Sequence, residues 1–370
     1  MKMQKAADAK IRVAFIVPGG IGTGHHNMGV PVLAEFVTGM ATAADVTVFS
    51  LFKINEDYTP SGFKVESIPD SNNIIKSLKL LWHLWRHRKE PFDVIHGFWV
   101  LPSGLLSVVI GKFFGIRSVV GILGGDAASL PLIQYGQLRT HIQRALVLWT
   151  LHHADECIAL THYSVGSLKH FGLKKAVNVI PWGVDRNRFV LKEKTQRACL
   201  EFLHVANLIS VKDQTTLLKA FSLICQQIPS RLTIIGEGPD EMKLRALAKI
   251  LGLKETIRFL GLQPYAHVPS FYHQSDILLQ SSLSEGQGQA VTEAMACGVV
   301  VCGTRVGLMA DYPELFVTVE PGDYVALAKE VVLLVRDESR IEKLRRNAFD
   351  WVVAHSIHRS VELTMDLYRT

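Results

Sequence analysis

Residues 277–302 read ILLQSSLSEGQGQAVTEAMACGVVVC. The apolar run Ile277–Gln280 predicts a buried strand, Gln289–Ala296 a helix, and Val299–Cys302 a second strand. Strands that read as continuous apolar runs and are separated by a helix belong to a parallel sheet covered on both faces. The same alternation extends upstream. Phe202–Val205, Leu232–Ile235 and Ile257–Leu260 read as strands. Asp213–Gln227, Asp240–Leu251 and the short Val268–His273 read as helices. Together they make one doubly wound α/β domain. Further upstream, Arg12–Val17, Val46–Ser50, Val94–His96 and Val119–Leu123 read as strands of another. Between the two series lies Ile180–Phe189, IPWGVDRNRF, then the polar Lys192–Arg197. Pro181 and Gly183 punctuate it, which places a linker near 185–198. The expected domains are therefore 1–190 and 191–350, with a terminal helix read over Trp351–Tyr368. Ligands of such sheets bind at the carboxyl ends of the strands, and two facing domains create a cleft.

The bulk properties agree with this plan. A chain of 370 residues is long for one core and sufficient for two. Apolar residues make up 48% and charged residues 20%, which argues against disorder. The net charge of +6 and pI near 9.0 point to anionic partners or to simple solubility. Cys157, Cys199, Cys225, Cys297 and Cys302 are odd in number and lack zinc-finger spacing, so a reducing cytoplasm is expected. Residues 1–17 lack the h-region of a secretory signal. No apolar run reaches 18 residues; Leu101–Ile116 is broken by Pro102, Gly104, Gly111 and Lys112, so no membrane span is expected.

After the first strand comes Pro18-Gly19-Gly20-Ile21-Gly22-Thr23-Gly24-His25-His26. Glycines let backbone amides approach an anion, yet neither G-x-G-x-x-G nor a P-loop can be drawn through them. Gly20 and Gly22 read either as a donor-facing wall or as a tight packing turn. The second loop is richer. Gly286, Gln287, Gly288 and Gln289 offer backbone amides at a helix start, a cradle for a diphosphate. Glu285 in the loop could accept hydrogen bonds from sugar hydroxyls and Glu293 in the helix from a ribose diol. Helix capping and a surface ion pair remain the plainer alternatives for two glutamates.

The segment E-G-x-G-x4-E-A-M-A-x-G resembles the E-x7-E signature of glycosyltransferase family 4 ("glycosyl transferases group 1"), retaining enzymes of the GT-B fold. Val205–Asp213 is similar to the family's donor-phosphate loop, and Ile234–Pro239 to its I-x-G-x-G-P turn. Ile257–Gly261 is similar to the strand before its base-binding loop, 180–189 to its linker and Asp93–His96 to an N-domain strand. The resemblance spans nearly the whole chain. It implies a nucleotide-diphosphate sugar as donor substrate and a glycan, lipid-linked saccharide or small molecule as acceptor. It implies no cofactor and no metal. Glu285 would contact the transferred sugar, Glu293 the ribose, and Lys212 the departing diphosphate, whose charge grows in the transition state. Asn207, where the family often has Arg, Gly261 and Leu262 would complete the donor site. Leu123 stands where the family often has His, with Asp126 nearby as a catalytic candidate. His96 is expected on the acceptor side, or else as a satisfied strand-end histidine. The 351–370 helix would cross back to the N-terminal domain. A non-catalytic sugar-nucleotide binder or partner subunit stays open, as does an epimerase.

Residues 74–89 are basic and amphipathic. Ile74, Ile75, Leu78, Leu81, Trp82 and Trp85 form a helical stripe, with Lys76, Lys79, His83, Arg86 and Lys89 elsewhere. Such a helix suits peripheral contact with the inner face of a membrane or ordinary packing on the N-terminal sheet. Nucleic acid is not an expected partner, since no other basic face interleaved with aromatics stands out.

Overall fold

Two parallel sheets organise the chain, and the computed structural model describes residues 10–24, 29–192 and 198–370 of it. Unit 1 holds the described residues up to Leu160, with Ser164–Trp182 and Ile357–Thr370. Unit 2 holds Thr161–Tyr163 and Gly183–Ser356.

Unit 1 runs β1 (Arg12–Val17), α1 (Pro31–Ala43), β2 (Asp45–Ser50), β3 (Lys64–Ser67), α2 (Asn73–Arg86), β4 (Val94–Phe98), α3 (Leu105–Phe114), β5 (Arg117–Ile122), α4 (His141–His153), β6 (Glu156–Ala159), α5 (His162–His170) and β7 (Asn178–Val179). The sheet order is β3-β2-β1-β4-β5-β6-β7, every pair parallel. Side chains alternate across each strand. Val13, Phe15 and Val17 of β1 join the cluster under α1, while Ala14 and Ile16 join the opposite cluster under α2 and α3. Each fully buried Val, Ile or Phe among them contributes roughly 1.5–3 kcal/mol.

Unit 2 runs β8 (Leu200–Val205), α6 (Gln214–Cys225), β9 (Ser230–Ile235), α7 (Glu241–Ile250), β10 (Ile257–Phe259), α8 (Val268–His273), β11 (Ile277–Gln280), α9 (Gln289–Ala296), β12 (Val300–Thr304), α10 (Leu308–Asp311), β13 (Val317–Val319), α11 (Tyr324–Val335) and α12 (Glu338–Ala354). Its order is β10-β9-β8-β11-β12-β13, again parallel. The two doubly wound domains expected from the alternation are both present.

Three expectations change. The units divide at Trp182 and Gly183, ahead of 185–198, because Val184 and Phe189 pack into the core of unit 2. Residues 193–197 of that stretch lie outside the described residues, as do His25 and His26 of the glycine loop. The terminal helix is not continuous over 351–368. It breaks at His355 (φ −116°, ψ 54°), and α13 (Ile357–Arg369) belongs to unit 1, where Ile357, Val361, Met365 and Tyr368 are buried. The short edge strands β3, β7 and β13 were not legible as strands; they carry two to four residues each.

Candidate functional site

In unit 2 the chain leaves β8 toward β9 and β10, and later places β11 on the other flank of β8. The gap between β8 and β11 is thus a topological switch point, where an open α/β sheet leaves a crevice at the carboxyl strand ends. Lys212 follows β8 in a short 3-10 turn, Ser210–Lys212; Glu285 follows β11. The sheet brings them together: Lys212 Nζ donates to Glu285 Oε1 at 2.6 Å. The same oxygen accepts Gln280 Nε2 at 2.8 Å and the Ser282 hydroxyl at 2.6 Å.

Two glycines let the loops close on this pair. At Gly236 (φ 131°) a Cβ would sit 1.9 Å from the Ala206 carbonyl oxygen. At Gly307 (φ 58°) it would meet Gln287 O at 2.7 Å and the Glu285 Cβ at 2.9 Å. Beneath them, His204 is fully buried, and burial pushes it down to about 4. The neutral ring fits Nδ1–H donating to Leu279 O at 2.8 Å, leaving Nε2 to accept from Gln214 Nε2 at 3.3 Å. Gln214 also donates to Asn207 O at 3.0 Å. This chain of bonds ties the Asn207 loop to β11. A histidine inside the apolar run Phe202–Val205 was its only trace in the sequence.

Gly288 (φ 94°) caps α9 without a side chain. Gly286 and Gln287 are buried in the preceding turn, and the Gly286 carbonyl accepts the Thr161 hydroxyl at 2.7 Å. Gln289 Nε2 and Gln280 Oε1, close in sequence to Glu285, are buried without a partner among the described residues. Glu293, 4% exposed, accepts the hydroxyls of Tyr265 (3.0 Å) and Tyr272 (2.8 Å), one on each oxygen. Burial, then the neighbouring Glu293 charge, pushes the Tyr272 phenol well above its ordinary value, so it stays a donor. Gly261 (φ 66°) and Leu262 follow β10, and the Gly261 carbonyl accepts Gly236 N at 2.9 Å.

Thr161–Tyr163 was missed by the sequence reading. Its place in unit 2 is held by the Asp311 carboxylate, which accepts the amides of His162 (2.6 Å) and Tyr163 (2.7 Å). The Tyr163 side chain bonds Ser284, next to Glu285. No local pattern marks these residues, because their partners lie more than a hundred positions away.

The remaining candidates sit in unit 1. Asp126 is fully buried and accepts Val100 N and Leu123 N, both at 2.9 Å. Burial pushes it up to about 6. His96 is 2% exposed and stacks on Phe98; its Nδ1 meets the Tyr368 hydroxyl at 2.5 Å, its Nε2 has no partner among the described residues, and burial pushes it down to about 3. His96 therefore lines the core of unit 1. Gly20 N is taken by the Thr23 hydroxyl, and the carbonyls of Gly20 and Gly22 accept Val30 N and Asn55 N. A Cβ at Gly22 would meet the Tyr58 ring at 2.5 Å. Those bonds and contacts are the packing turn.

The family profile described as "Glycosyl transferases group 1" matches residues 185–351, and "Glycosyltransferase Family 4" matches residues 30–188. N-acetyl-alpha-D-glucosaminyl L-malate synthase of Bacillus anthracis is 26% identical over 70% of this chain and 68% of its own. Other curated relatives are spanned over 52% and 57% of their length. Among solved structures, sucrose-phosphate synthase of Thermosynechococcus elongatus has a TM-score of 0.81 at 19% identity, covering 97% of this chain and 98% of its own. The Anabaena protein HepE in complex with UDP and glucose has a TM-score of 0.76 at 16% identity, covering 96% and 99%. These likenesses show that the fold is GT-B.

Proposed function

We propose that this chain, which belongs to glycosyltransferase family 4, transfers a hexose from a nucleoside-diphosphate sugar to a glycan, a lipid-linked saccharide or a small molecule, with retention of configuration. The observation that carries this reading is the Lys212–Glu285 pair across the β8/β11 switch point, 2.6 Å apart and beside a helix start capped only by glycine.

An anionic diphosphate at that helix start would be held by backbone amides and by Lys212. It would compete with Glu285 for the Lys212 ammonium. Glu285, still held by Gln280 and Ser282, would turn to the sugar hydroxyls. Lys212 would then meet the charge that grows on the leaving phosphate. Glu293, fixed by two phenols, is the ribose acceptor in this reading. Gln289 Nε2 and Gln280 Oε1 would gain the partners they lack. The glycosidic bond to phosphate breaks as the acceptor oxygen attacks from the same face, and the departing phosphate oxygen takes the acceptor proton. The reading calls for no metal and no cofactor. It places the protein in the cytoplasm, at the inner face of a membrane through residues 74–89 when the acceptor is lipid-linked.

The test is incubation with labelled nucleotide sugars and candidate acceptors. Uridine donors come first, because the Anabaena neighbour was crystallised with UDP. Transfer with retained anomeric configuration supports the proposal. Tight donor binding with neither transfer nor donor hydrolysis would instead make the chain a non-catalytic binder.

A further inference from the structure

The helix α2 presents two apolar faces. Leu80 and Leu84 point into the core of unit 1, while Ile74, Leu78, Trp82 and Trp85 are 71%, 60%, 53% and 46% exposed. The expected stripe is therefore largely a solvent face. It also continues beyond α2. The helices α2 and α3 share one buried cluster and α3 and α4 another, so the three lie on the same side of the sheet, opposite α1 and α13. Phe113 of α3 is 72% exposed, and Ile142 and Trp149 of α4 are 77% and 41% exposed. Of the twenty large apolar side chains exposed among the described residues, ten are on these three helices. The exposed tryptophans, Trp82, Trp85 and Trp149, are all among them.

The three helices themselves carry Lys76, Lys79, Arg86, Lys112 and Arg144 and no Asp or Glu. Residues 73–153 hold nine Lys and Arg against three Asp and Glu, one of which is the buried Asp126. That excess of six equals the formal charge of the entire chain, so the rest of the sequence is balanced. The cations stand among the aromatics. Arg86 lies over Trp82 (4.9 Å), Arg88 over Trp85 (3.8 Å) and Lys112 over Trp149 (5.9 Å). No helix among the described residues is long and apolar enough to cross a membrane.

We propose that the α2–α3–α4 face of unit 1 docks on an anionic lipid bilayer. Its aliphatic, Phe and Trp side chains would enter the headgroup–acyl boundary, and its Lys and Arg would pair with anionic headgroups. This widens the contact expected from 74–89 to three helices. A second copy of the chain is a poorer occupant, since two such faces carry the same charge. A nucleic acid would leave the isoleucines and leucines without an apolar partner.

The experiment is co-sedimentation of the full chain, without donor or acceptor, with vesicles of phosphatidylcholine alone or with about 30 mole per cent phosphatidylglycerol. Binding to the mixed vesicles, with a blue shift of tryptophan emission, is the expected result. Trp82→Ser, Trp85→Ser and Phe113→Ser together should weaken it about tenfold or more. A second variant, Lys76→Gln with Arg88→Gln, should weaken it roughly fivefold per charge and reduce its salt dependence. Far-UV circular dichroism establishes that each variant is folded. No binding to mixed vesicles, equal binding to neutral ones, or binding untouched by both variants overturns the proposal. So does a dimer or an oligonucleotide complex that the apolar variant dissolves. Because no sugar is transferred in this assay, its failure and the failure of the transfer reading are told apart.

Discussion

Two carboxylates at the carboxyl ends of parallel strands, Asp126 in unit 1 and Glu285 in unit 2, are held by opposite kinds of donor. Asp126 accepts two backbone amides, from Val100 and Leu123, and is sealed from solvent. Glu285 accepts side chains only, from Lys212, Gln280 and Ser282, at one oxygen. Backbone donors cannot leave without moving the chain, so Asp126 fixes the loops after β4 and β5. Side-chain donors can rotate without moving the chain, so the bonds around Glu285 can rearrange where those of Asp126 cannot. Two domains of similar topology thus hold the same chemical group once by the backbone and once by side chains alone.

The sharpest way to break this contrast is to delete each carboxylate. Glu285→Ala should lower kcat/KM for transfer about 10²–10³-fold and shift the melting temperature little; full retained activity would end the site assignment. Asp126→Ala should leave two buried amides unpaired, at about 1–3 kcal/mol each. A denaturant midpoint close to that of the parent would show that Asp126 is not a strut.

A smaller effect lies in pH. The folded Asp126 titrates near 6, above an unfolded value of about 3.9. Its contribution is full below the unfolded value and lost as pH rises toward 6. His96 runs the other way. Burial holds it near 3, so its contribution is present above about 6.5 and lost as pH falls toward 3. Between pH 4 and 6 the two oppose each other. Chemical denaturation across that window should show a more positive slope of stability against pH in Asp126→Asn than in the parent; parallel curves would contradict the assignment. His96→Phe should remove the opposing slope.

The smallest expected effect concerns Glu293. Tyr272→Phe removes a buried hydroxyl from one carboxylate oxygen, and about 1 kcal/mol is expected. Under the ribose reading this appears as a several-fold rise in the donor KM with kcat kept. A loss of stability with unchanged KM would make the Tyr–Glu bonds purely structural.

Legibility in the sequence tracked locality. The strand β11, the helix α8 and the helix α9 fall at their expected limits, since apolar runs and a glycine turn bound them within a few residues. Lys212 and Glu285 were legible singly, and the sheet order brings them together. The Thr161–Tyr163 graft was not legible, because its partners Gly286 and Asp311 are remote in sequence and ordinary in type. The face of α2 that meets solvent stayed open in the sequence, since its apolar spacing suits a buried helix equally well. Only the packing of Leu80 and Leu84 tells which side is inside.

The assignment of Thr161–Tyr163 to unit 2 and of α13 to unit 1 also constrains how the chain can be made. A ribosome releases the strands of unit 1 first, yet α13, whose Tyr368 meets His96 and whose Ser360 hydroxyl bonds Pro181 O at 2.7 Å, emerges only after all of unit 2. The first sheet therefore waits, its α1 side uncovered by α13, while the second domain is synthesised. A clone cut at residue 182 would yield two fragments, each lacking a piece of itself: an N-terminal half without α13 and a C-terminal half without the Thr161 hydroxyl that holds Gly286. Joining 357–370 to the shorter fragment by circular permutation would be the rational route to an autonomous first domain.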